Sequence, residues 1–121
     1  MKHKVLFINL AEDDKDLIVS FALYDTEMGV KNLILHRTLF FEELLNEDEK
    51  GVNVLLEDDH FDQEHFNMLK EITISNDEIS IQSSFREYNL DISSISESDK
   101  KEMISLLKKQ DYDNRVTINI V

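Results

Sequence analysis

Two short segments, Glu71–Ser75 and Glu78–Gln82, carry isoleucine at positions 72, 74, 79 and 81 on either side of Asn76-Asp77. Side chains on a strand alternate between faces, so a two-residue turn sets Ile74 opposite Ile79 and Ile72 opposite Ile81. All four then share one face, and a one-residue slip would turn one strand's isoleucines to water. The alternation resumes at Tyr88, Leu90 and Ile92, which makes a third strand and an antiparallel meander. Further strands are expected over Lys4–Leu10, Leu17–Tyr24, Val30–Arg37, Val52–Leu56 and Arg115–Val121. Leu17–Tyr24 is apolar on both faces, which places it centrally in its sheet. The Gly29-terminated connection Asp25–Gly29 suits a hairpin to Val30–Arg37.

Helical spacing is rarer. Ser96-Glu97-Ser98-Asp99 fits the pattern of a capping serine with an acid three residues later. The helix it opens buries Met103, Ile104, Leu106 and Leu107 and ends on Lys108 and Lys109, which complement its dipole. Thr38 either caps a short helix through Leu45, with Phe40, Phe41, Leu44 and Leu45 on one side, or begins a strand with a bulge. Asp62 reads as a third N-cap, with Phe61 and Phe66 as a hydrophobic staple, for a helix running to about Lys70. The fold class expected is α+β: an antiparallel sheet of about six or seven strands with two or three helices packed on one face.

At 121 residues the chain has the length of one domain. It holds no proline and two glycines, where average usage predicts about six and eight. Turns must therefore come from Asn and Asp, which tolerate left-handed backbone. Cysteine is absent, which removes disulfides and thiolate chemistry together. No apolar run exceeds four residues, so neither a membrane span nor a signal-peptide core is expected, and the cytoplasm is the simplest location.

Charge narrows the function classes further. The formal charge is −13, which argues against direct nucleic-acid binding and against docking on an anionic membrane. Ten carboxylates (Glu42, Glu43, Glu47, Asp48, Glu49, Glu57, Asp58, Asp59, Asp62 and Glu64) face one cation, Lys50, between positions 42 and 64. That stretch either keeps the surface solvated or steers a basic protein partner by long-range attraction.

Signs of chemistry are few. His60 and His65 sit among Asp58, Asp59, Asp62 and Glu64 and could offer ligands to a divalent ion. They match neither the HExxH spacing nor a calcium loop, so no metal or cofactor is expected. His36-Arg37 ends one predicted strand and Arg86-Glu87 precedes another at Tyr88; together they could line one polar pocket, or form ordinary ion pairs. Arg115, beside Asp111 and Asp113, reads as turn-local pairing. Nucleophile elbows, phosphate loops and the dinucleotide fingerprint are missing, and the aromatic residues fall mostly on inward faces as core. The leading expectation is a non-catalytic module (an inhibitor, an immunity-type antidote or a DNA mimic) that docks a basic partner through its acidic stretch. A small-ligand or enzymatic pocket around His36, Arg37 and Arg86 is the first alternative. A homodimer built through strand 115–121 is the second.

Overall fold

A computed structural model of the chain describes residues 2–57 and 66–121. Eight strands form one sheet: β1 (Lys2–Glu12), β2 (Asp16–Asp25), β3 (Gly29–Thr38), β4 (Asn53–Leu56), β5 (Leu69–Ile74), β6 (Glu78–Ser83), β7 (Glu87–Asp91) and β8 (Thr117–Ile120). Helix α1 (Glu97–Gln110) links β7 to β8. The order across the sheet is β4-β3-β2-β1-β7-β6-β5-β8. Neighbours are antiparallel except β1 with β7 and β5 with β8, which run parallel.

The isoleucine hairpin forms in the register that its pattern requires, Ile72 against Ile81 and Ile74 against Ile79. All four side chains are buried, and so are Val19, Phe21 and Leu23 of β2 and Leu33 and Leu35 of β3. One apolar cluster therefore joins both halves of the sheet with Met103, Leu106 and Leu107 of α1. The helix begins as read, with the Ser96 hydroxyl accepting the Asp99 N–H at 3.1 Å. Its inward face extends to two polar residues, Lys100 and Gln110. Gln110 is fully buried and donates from Nε2 to the carbonyls of Leu17 and Leu35, each at 2.8 Å. These bonds tie the end of α1 to β2 and β3.

The two edges of the sheet differ. β4 curls round to meet the start of β5: Asn53 bridges Met68, Val54 N–H donates to the Asn67 carbonyl and Leu69 N–H to that of Val52. Such closure removes an exposed edge. Among the described residues β8 pairs with β5 alone.

Several expectations need correction. The sheet is mixed and eight-stranded, not an antiparallel sheet of six or seven, and one α-helix stands among the described residues instead of two or three. The stretch from Thr38 to Leu45 is no helix. It makes one 3-10 turn, Glu42–Leu44, followed by a second over Glu47–Glu49. Eight residues are too few to recover the cost of helix nucleation without a buried face, and Phe40, Phe41 and Leu44 are exposed. The end of the helix expected over 62–70 is instead extended, because Met68 bridges β4 and Leu69–Lys70 open β5. Its Asp62 cap and its staple residue Phe61 lie outside the described residues. The aromatic residues divide: Phe21 and Tyr88 are core, whereas Phe7, Tyr24, Phe40, Phe41, Phe66 and Phe85 are exposed.

Candidate functional site

The connection between β3 and β4 carries the first half of the acidic stretch, and two arginines hold it against the end of α1. Arg37, near the end of β3, binds Glu42 in bidentate fashion, Nε to Oε2 at 2.8 Å and Nη2 to Oε1 at 2.9 Å. Both side chains are only 16% exposed, so the pair is poorly screened by solvent. The hydrogen bond to Glu42 raises the Arg37 pKa above its ordinary value, holding the guanidinium charged. Arg37 Nη1 also donates to the Lys109 carbonyl at 3.2 Å, at the dipole-negative end of α1.

Tyr112 continues the stack from the turn after α1. The Arg37 guanidinium lies 5.2 Å from its ring centroid and that of Arg115 4.9 Å, within cation–π range. Arg115 in turn reaches Glu47, Nη2 to Oε1 at 2.6 Å, and donates from Nη1 to the Lys50 carbonyl at 3.0 Å. A ladder Glu42–Arg37–Tyr112–Arg115–Glu47 thus fastens both 3-10 turns to the scaffold. The left-handed backbone at Asp113 and Asn114, φ of 57° and 54°, reverses the chain between Tyr112 and Arg115. The ion pair expected between Arg115 and its neighbours Asp111 and Asp113 is replaced by one to Glu47, 68 positions away. Asp111 accepts the Val116 N–H instead.

The remaining acids take varied roles. Glu49 accepts the Asn46 N–H at 3.0 Å as half of a capping box. Glu57 Oε1 accepts both the N–H and the side-chain amide of Asn32. Glu43 and Asp48 are exposed. Asp58, Asp59, Asp62 and Glu64 lie outside the described residues, as do His60 and His65. Among the described residues no group of three or more His, Asp or Glu could hold a metal ion.

The residues of the alternative pocket fall on different elements. His36 pairs with Asp16 at 2.7 Å across β2 and β3. Arg37 turns to Glu42 and α1. Arg86 lies in the turn between β6 and β7, where its Nη1 donates to the Phe85 carbonyl, and Glu87 opens β7. In strand order, β2 and β1 stand between β3 and β7.

Comparison with protein-family models, with curated proteins and with solved structures finds no match to this chain. No helix among the described residues is long and apolar enough to cross a membrane. The chain is a small globular α+β domain.

Proposed function

We propose that this chain is a non-catalytic protein-binding module that docks a basic protein partner through its 42–64 stretch, as an inhibitor, an immunity-type antidote or a DNA mimic would. The observation that carries this reading is the arginine–tyrosine ladder. It spends Glu42 and Glu47 on holding the loop while Glu43 and Asp48 stay exposed on a braced backbone. A loop ordered before contact loses less entropy on binding, and its charges can steer encounter. The test is a binding titration with a basic partner recovered from the native host and then purified. Affinity should fall at least tenfold between low and high salt, and again with Glu43→Lys plus Asp48→Lys. Affinity indifferent to both would overturn the reading.

One observation favours a second reading, a homodimer through strand 115–121. Val121 N–H donates to the Ile74 carbonyl, so in a strand of period two the backbone groups of Ile118 and Ile120 point away from β5. Natural edges of this kind are defended by charge or proline, and Thr117–Val121 contains neither. Sedimentation over a range of concentrations should show a dimer that Ile120→Pro, which removes an outward N–H at an exposed position, dissolves; a monomer throughout would remove it.

A further inference from the structure

The turn between Thr38 and Leu45, which leads into the acidic stretch, exposes large apolar side chains. Phe40 is 62% exposed, Phe41 54% and Leu44 81%. The two rings meet edge to face with centroids 4.8 Å apart, and Leu44 N–H donates to the Phe41 carbonyl, so the three belong to one turn. Taking roughly 200 Å² for each aromatic side chain, they show water roughly 350 Å² of apolar surface, the size of patch that on monomers often marks a contact site. The exposure is imposed by the scaffold. Leu39 packs against the core, Leu39 and Phe40 N–H groups bond the Lys15 carbonyl, and Glu42 is locked to Arg37. The rings therefore cannot fold inward without breaking those contacts.

We infer that Phe40, Phe41 and Leu44 are the anchors of the docking surface, seated in an apolar groove on the partner whose rim carries Lys or Arg. This rests on the reading of the acidic stretch as a docking surface and names what does the binding there. Charge complementarity selects the occupant: acids at 42, 43, 47, 48 and 49 follow the rings in sequence, Glu43 and Asp48 among them exposed, with Lys15 Nζ 5.9 Å from the Phe40 centroid as a nearby cation. Interfaces commonly draw most of their affinity from a few aromatic anchors inside a polar rim. The exposed acids then steer and orient, and the rings hold.

The probe is a helical peptide with a leucine stripe and a lysine face, set against an equally charged lysine–glycine peptide that lacks the stripe. Binding is read by fluorescence anisotropy on the whole chain. The wild type should prefer the leucine–lysine peptide at least tenfold. Phe40→Ser with Phe41→Ser should erase the preference while leaving the salt-dependent binding of both peptides; Leu44→Ser should reduce it. Phe7→Ser, at an exposed position on β1, should leave it intact. A preference that survives loss of both rings, or that is lost with Phe7, overturns the anchors while the charge-based docking stands. Failure of both peptides to bind the wild type overturns both.

Discussion

The two ends of β3 handle charge in opposite ways. At its far end, Arg37 and Glu42 are 16% exposed and share two hydrogen bonds, with the α1 carbonyls and Tyr112 beside them. At its near end, beside the β2–β3 hairpin, Lys2, His3, Lys4, Tyr24, Asp25 and Lys31 line an open cavity of about 430 Å³. Lys2 of that cavity pairs with Glu78 of β6 at 3.3 Å, with side chains 51% and 42% exposed. Attraction between two charges depends on the medium as much as on their separation, so the first pair is structural and the second is largely screened. The connections explain the need. The hairpin turn closes itself, with Asp25 accepting the Met28 N–H and Gly29 at φ +81°, whereas residues 39–52 form a long connection that requires fastening from outside.

Removing the fastening should break this contrast most visibly. Arg37→Ala strips Glu42 of its partner in a half-buried setting and unseats Tyr112, at a cost of about 3 kcal/mol in urea unfolding. The loss should persist in high salt, because the pair is shielded from solvent. At the other end, Gly29→Ala forces an alanine into left-handed backbone and should cost about 1 kcal/mol, read as a lower melting temperature. A larger loss would mean that the hairpin also depends on outside contacts. Lys2→Ala should change stability by less than about 0.5 kcal/mol, and by nothing measurable in high salt.

Acid acts on a third kind of site. Asp91, opposite Lys4 in the β1–β7 pairing, has its pKa lowered first by the Ser93 side chain, then by the Ser93 N–H, with smaller help from Lys2 and Lys4. A depressed carboxylate contributes stability above its unfolded value, near 3.8, and that contribution disappears as pH falls through the lower folded value. Asp91→Asn should therefore flatten the decline in the urea midpoint on going from about pH 5 to about pH 2.5. The Arg37–Glu42 end should show no such effect of this substitution.

The strand plan was legible because it rests on local periodicity. Ile72, Ile74, Ile79 and Ile81 specify a face and a register within a dozen residues, and the Ser96 cap announces α1 from four. The ladder was not legible, since Arg37 meets Lys109 and Arg115 meets Glu47 at separations of 72 and 68 residues. Arg115 next to Asp111 and Asp113 even suggests the wrong partner. Phe40, Phe41, Leu44 and Leu45 have helical spacing, yet periodicity records only which residues could share a face and not whether anything covers it. Nothing local distinguishes an aromatic residue such as Phe21, at the centre of the sheet, from Phe41 on a braced turn.

The order of residues alone determined the strands, the isoleucine register, the start of the helix and the concentration of acid between 42 and 64, because each depends on neighbours within a few positions. Only the tertiary structure decided that β1 and β7 run parallel, that β4 closes onto β5, and that Glu42 and Glu47 hold a loop while Phe40 and Phe41 face water. Those outcomes come from contacts between distant segments. Their energies depend on burial, and burial is settled only once the whole sheet has curled around its core.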